Sequence, residues 1–161
     1  MNAYLKSTLL LCLASLAGCA DVQTTVYQEG VVTENGEPAY ITIQHCLIGF
    51  RDVLPDRSLR SQDDAVKLAN EIFEKAKAGE DFDAIVRKHS DDGAPGIYKL
   101  ANHGYESDRG GRVPSRVIHA RGGMVPAFGD VGFALEVGEV GLAEYDPQAS
   151  QYGFHIIKRL K

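Results

Sequence analysis

The spacing of apolar positions changes several times along this chain, and each change marks an element. From Tyr40 to Ile48 the run Tyr-Ile-Thr-Ile-Gln-His-Cys-Leu-Ile alternates and is rich in β-branched residues, which predicts a strand. Ile41, Ile43, His45 and Leu47 fall on one face of it. Arg51 to Arg60, with Pro55 inside, is a loop. Ser61 followed three residues later by Asp64 is a helix start, because a hydroxyl there satisfies an early backbone N–H. Ala65, Leu68, Ala69, Ile72, Phe73 and Ala76 then repeat at i, i+3, i+4, i+7, i+8 and i+11, which predicts an amphipathic helix stopped by Gly79. Asp81 caps a second helix, with Phe82, Ile85, Val86 and His89 on one face, that ends at Ser90-Asp91-Asp92-Gly93.

The second half is less regular. Gly93 to Gly111 holds five glycines in 19 positions and predicts a long loop. Val113, Val117 and Ile118 within Arg112 to Ala120 predict a second strand. Pro126 starts a short helix through Val131, weakened by Gly129 and Gly132. Gly138-Glu139-Val140-Gly141-Leu142 is a turn into a short strand, and Phe154 to Leu160 is a final strand. This order of elements suits an α+β domain with a small antiparallel sheet.

The N-terminus has a different pattern. Lys6 precedes the apolar run Leu9-Leu10-Leu11-Cys12-Leu13-Ala14, which breaks into small residues. That is the layout of an export signal, too short for a bilayer span of about 20 apolar residues. It closes with Leu16-Ala17-Gly18-Cys19, which resembles the bacterial lipobox, in which the Cys is diacylated and becomes the mature N-terminus. Residues 1–18 are then the leader, and Cys19 the lipidation site. Residues 19–38, polar and rich in Gln, Thr, Gly and Asn, are a tether spanning about 25 Å as a flexible coil, and 39–161 the folded domain. A plain signal peptide with a chance Cys is the alternative. The implied location is the bacterial envelope, on the periplasmic side of the outer membrane, since Ala20 rather than Asp follows the Cys.

Composition narrows the functions. The 161 residues carry a net charge of −5, which becomes −6 when Lys6 leaves with the leader. There is no Trp, and no basic patch, so nucleic acid is not the expected partner. With Cys12 removed and Cys19 lipidated, Cys46 is the one free thiol; in an apolar strand it is a small buried hydrophobe, and neither a disulfide framework nor a metal spacing is present.

From Ile41 to the end the segments are similar, in order and spacing, to the parvulin-type peptidyl-prolyl isomerases. Ile43 to Ile48 resembles their His-bearing first strand; Lys77-Ala78-Gly79-Glu80-Asp81-Phe82 their turn between two helices; His89-Ser90-Asp91-Asp92 the end of the second helix. Met124 and Phe128, followed by Phe133-Ala134-Leu135, resemble their Met-x-x-x-Phe and Phe-Ala-Leu segment, and Gly138-Glu139-Val140 and Gly153-Phe154-His155-Ile156-Ile157 their last turn and strand. The resemblance implies a four-stranded antiparallel sheet wrapped by about four helices. It also implies that His45 and His155 meet at its centre, that Met124 and Phe128 hold a proline ring, and that Asp92 stands beside them. Val117 or Ile118 supplies the apolar residue of the second strand. Two departures concern the pocket: Tyr152 stands where a small hydroxyl residue is common, and Val125 where Gln is common.

Isomerising an X-Pro bond crosses a barrier of about 18–20 kcal/mol without breaking a covalent bond, so no nucleophile, metal or cofactor is expected. Twisting removes amide resonance, the twisted amide is less polar, and a dry apolar pocket favours it. Met124 and Phe128, four apart on a helix, suit such a pocket. His45 and His155 are either a core pair with structural duty or a pair that orients the pocket; Asp92 either polarises the imide or caps a helix end. Two functions follow: an isomerase acting on proline-containing, partly folded exported chains, or a peptide-holding chaperone or adaptor with little catalysis.

Overall fold

In the computed structural model the described residues are 30–56, 59–110 and 117–161. The leader, Cys19 and most of the tether lie outside them, as do Arg112 and Val113. A strand β1 (Tyr40–Ile48) is followed by helices α1 (Gln62–Lys77) and α2 (Phe82–His89) and strands β2 (Ile97–Ala101) and β3 (His119–Ala120). After a 3-10 turn over Arg121–Gly123 come α3 (Pro126–Ala134), β4 (Val140–Ala143) and β5 (Phe154–Arg159).

The strands form one sheet in the order β3-β2-β1-β5-β4. β1 pairs antiparallel with β2 and β5, and β4 with β5, but β3 runs parallel to β2. The expected four antiparallel strands and four helices are therefore corrected: among the described residues there are five strands in a mixed sheet, and three α-helices. The extra strand, β2, lies inside the segment read as a glycine-rich loop. Ile97-Tyr98-Lys99-Leu100-Ala101 has ordinary strand chemistry, but the glycines around it dominate the composition. Of the strand expected over Arg112 to Ala120, residues 112–116 lie outside the described residues; the described part holds β3 at His119–Ala120, with Ile118 bridged to Asp108.

β1 is buried along almost its whole length because both its faces are covered. Cys46 and Ile48, with Phe154 and Ile156 of β5, pack against Ala65, Ala69 and Ile72 of α1 and Phe82, Ile85 and Val86 of α2. Ile41 and Ile43, with Leu100 and Ile157, pack against Phe128 and Phe133 of α3. His45 belongs to this second face by alternation, and so does His155, two residues before Ile157. The caps follow the sequence: Ser61 Oγ accepts from Asp64 N (3.2 Å), and Asp81 Oδ1 from Asp83 N (3.0 Å).

α3 runs three residues beyond the expected end at Val131. Its glycines are there for contact: a Cβ on Gly132 would sit 3.4 Å from both Ile41 Cδ1 and Ile43 Cδ1, so the helix backbone lies directly on β1. Just ahead of β1, a hydrogen-bonded turn draws residues 31–38 onto the folded unit. Thr33 N donates to Glu37 O (2.7 Å) and Ala39 N to Val31 O (2.7 Å). A polar turn and a polar linker have the same composition, so sequence placed the boundary at residue 39. No helix among the described residues is long and apolar enough to cross a membrane.

Candidate active site

β1 and β5 are neighbours, with Leu47 opposite His155 and His45 opposite Ile157. The two histidines are therefore diagonal neighbours on one face, close enough to touch. Their Nδ1 atoms are 3.2 Å apart and the rings stack, with centroids 5.4 Å apart and planes at 22°. Phe128, delivered from α3, stands edge-on to both, at 5.1 Å from His45 and 5.3 Å from His155. Tyr98 of β2 completes the ring cluster, 5.3 Å from His45 and 5.7 Å from Phe128. Edge-to-face contacts at these distances are the favoured arrangement of aromatic pairs.

Asp92 enters from the end of α2. Its Oδ2 lies 3.2 Å from His45 Nε2, off the line of a good hydrogen bond, and accepts from the Tyr98 hydroxyl (3.3 Å). The segment that carries it is clipped to the end of β1. Ser90 Oγ accepts from Leu47 N (3.1 Å), Asp91 N donates to Leu47 O (2.8 Å), and Asp91 Oδ2 accepts from Gly49 N (2.8 Å). Asp91 is then neutralised by an ion pair with Arg60, whose Nη1 also donates to Gly49 O (2.7 Å). Asp92 keeps nearly half of its side chain exposed.

These groups border a cleft of about 320 Å³ with a mostly apolar wall of Leu47, Leu54, Met124, Val125, Phe128 and Tyr152. Of the residues read from sequence, His45, Asp92, His155, Met124 and Phe128 come together here. Val117 and Ile118 do not line it; Ile118 is buried beside Asp108 instead. The contribution expected from the second strand comes from Tyr98, which sequence missed because its strand was read as loop. Leu54, in the loop after β1, was missed too, and no sequence pattern marks it. Among the described residues no group of three His, Cys, Asp or Glu could hold a metal ion.

Electrostatics make the histidines neutral. Burial pushes His155 down to about 3, and the neighbouring His45 adds to the shift. Burial also lowers His45, partly opposed by the charge of Asp92. A carboxylate beside His45 Nε2 favours the proton on that nitrogen, which leaves His45 Nδ1 to accept from His155 Nδ1–H. His155 Nε2 is then a buried lone pair with no hydrogen-bond partner among the described residues. Cys46 takes no part: it points to the opposite face of the sheet, and burial, with the charge of Asp91 adding, pushes its thiol up to about 12.

A group whose folded pKa is depressed supplies stability that is complete above its unfolded pKa and is lost as pH falls. For His155 the window runs from 6.5 down to about 3. Unfolding free energies measured in urea across that range should fall with pH by several kcal/mol, and more steeply than in a His155→Asn variant. Equal slopes for the two proteins would contradict the neutral buried imidazole.

Residues 30–161 match the family described as the PPIC-type PPIASE domain. The chain belongs to that family. Within it, the chain is 36% identical over 92 residues to the foldase protein PrsA 4 of Bacillus cereus, a stretch covering 57% of this chain and 26% of that protein. It is 33% identical over 131 residues to the chaperone SurA of Chromohalobacter salexigens, covering 81% of this chain and 23% of that one. The chain thus spans about a quarter of the length of these relatives. The solution structure of TbPIN1 shares the fold of this PPIC-type domain, with a TM-score of 0.54 at 20% identity, over 76% of this chain and 98% of that one.

Proposed function

We propose that this protein is a peptidyl-prolyl cis-trans isomerase acting on exported, partly folded chains from a lipid anchor on the bacterial envelope. The observation that carries the reading is the cleft. Two neutral histidines and three aromatic rings, Tyr98, Phe128 and Tyr152, surround a mostly apolar space in a domain of the PPIC-type family. Met124 and Phe128 bury the proline ring; the cleft wall strips water from the imide and so favours the less polar, twisted amide. His45, His155 and Asp92 hold the pocket's rings and one edge of the bound imide through hydrogen bonding, with no proton transferred. The names foldase and chaperone, borne by the relatives, agree with unfolded exported substrates. A protease-coupled assay on a proline tetrapeptide tests the reading. Acceleration that disappears with pocket variants supports it; binding without acceleration points to a peptide-holding module.

Selectivity follows from the loop after β1. That loop carries Arg51, Arg57 and Arg60 against Asp52 and Asp56, a net of only +1, and Arg60 is committed to Asp91 and to Gly49 O. A phosphate dianion needs several converging donors. Phosphoserine-proline peptides are therefore expected to turn over no faster than serine-proline ones; a tenfold gain would refute this. For the anchor, the expectation is a diacylated Cys19, since two chains attach stably where one is marginal. Mass spectrometry of the mature N-terminus decides it, and a Cys19→Ser protein that stayed fully membrane-bound would rule it out.

A further inference from the structure

The helix that carries Phe128 is poorly made for holding anything still. α3 has nine residues, two interior glycines, and no side-chain cap at Val125. Short uncapped helices with glycine have little stability of their own. Its position must be imposed from outside, and one side chain touches it repeatedly.

Arg121, three residues before Met124, is only 12% exposed. Its Nη2 donates to Asp130 Oδ1 (2.8 Å) on α3, and its guanidinium lies 4.7 Å from the centroid of the Phe133 ring, also on α3. Its stem fills the space beside Gly129, where a Cβ would come within 3.2 Å of Arg121 Cγ. Its carbonyl accepts from Met124 N (3.1 Å). On the far side, Nη1 donates to Asn102 Oδ1 (3.0 Å) at the end of β2 and pairs with Glu37 Oε2 (3.3 Å) in the N-terminal turn. Asn102 Nδ2 locks that turn further, donating to Glu37 Oε2 (3.2 Å) and Pro38 O (3.0 Å). The planar guanidinium thus bridges two carboxylates on separate elements while stacking on a ring, which a lysine ammonium cannot do.

We propose that Arg121 is a positioning residue of the proline pocket, setting where the turn before α3 places Met124 and where α3 places Phe128, and that Glu37 in the N-terminal turn is its outer anchor. The inference rests on the isomerase reading for what the pocket does, but its geometry stands apart from turnover. It assigns a role to a segment that composition would place in the tether.

The test uses the full chain purified in detergent, with two readouts. One is kcat/KM on a proline tetrapeptide. The other is the methyl signal of Met124 in protein labelled with methyl-13C methionine, titrated with a proline peptide; the sequence holds only two methionines, and Met124→Leu assigns the signal. Glu37→Gln, distant from the cleft, should lower kcat/KM about threefold, shift the Met124 methyl, and move Tm by no more than about 2 °C. Arg121→Met should cost about tenfold, Arg121→Lys should not restore activity, and Glu37→Gln should add nothing in the Arg121→Met background. If Arg121→Met does not fold, Glu37→Gln and Asp130→Asn, singly and together, carry the same comparison. An unchanged kcat/KM and Met124 signal in Glu37→Gln, or fully additive losses, would overturn the proposal. A wild-type protein that binds the peptide without turning it over ends the isomerase reading alone. The positioning role then stands if Glu37→Gln weakens peptide binding about threefold in the titration, and falls if it does not.

Discussion

Phe128→Ala should reduce kcat/KM for proline peptides about 30- to 150-fold, the equivalent of losing 2–3 kcal/mol of transition-state binding. The ring is 2% exposed and stands edge-on to His45, His155 and Tyr98. Removing it opens the cleft to water at the point where the twisted amide needs a dry wall. Core Phe→Ala changes also cost about 3–5 kcal/mol of stability, so Phe128→Leu is the necessary companion. It keeps most of the volume and loses the flat ring, and should cost about 5- to 10-fold with far less unfolding. Met124→Ala belongs between them at about tenfold, because neighbours can close over the space of a flexible side chain. Thermal unfolding by circular dichroism accompanies each assay. A well-folded Phe128→Ala protein working at the wild-type rate would show that the proline ring rests elsewhere.

The second large effect is on folding. Gly153→Ala should destabilise the domain by about 3 kcal/mol or more, lowering Tm by about 10 °C. Gly153 has φ +133°, where a side chain is strained, and a Cβ would lie 2.4 Å from Ile48 O and 2.9 Å from Gly49 Cα. Those are backbone atoms of the neighbouring strand, paired with Phe154, and they cannot yield without breaking the β1–β5 ladder. Gly138→Ala is the control. Its φ is +89°, but nothing lies within 4 Å, so only the backbone strain remains, about 1 kcal/mol. Equal melting temperatures for the two variants would show that the close approach at Gly153 carries no weight.

Sequence was a good guide wherever one residue's role depended on its near neighbours. Helix caps at Ser61 and Asp81, the apolar stripes of α1 and α2, and the alternation of β1 are local patterns, and the structure reproduces them. Met124 and Phe128 belong to a compact motif and both reach the cleft, but not from one helix: α3 begins only at Pro126, so Met124 stands in the turn ahead of it. β2 was not readable: five residues of strand between glycines carry too little periodicity to outweigh composition. With β2 went Tyr98, whose value lies in what it meets across the sheet, not in what flanks it. Val117 and Ile118 were chosen to fill the place Tyr98 occupies. Arg121 shows the same limit. It sits in an unremarkable Arg-Gly-Gly stretch, and only the fold brings Glu37, 84 residues earlier, to its guanidinium.

The site's two histidines lie 110 residues apart along the chain, on its first and last strands. His45 is among the first parts of the domain to be made, and His155 among the last. Until β5 slides in beside β1, the central strand lacks one of its two partners and the pocket lacks a wall. Local pieces such as α1 can form as they emerge, but the pairing that completes the sheet closes a long loop and is intrinsically slow. A chain that still lacks β5 therefore has an incomplete pocket. A site built this way is complete only once the last strand of the domain is in place.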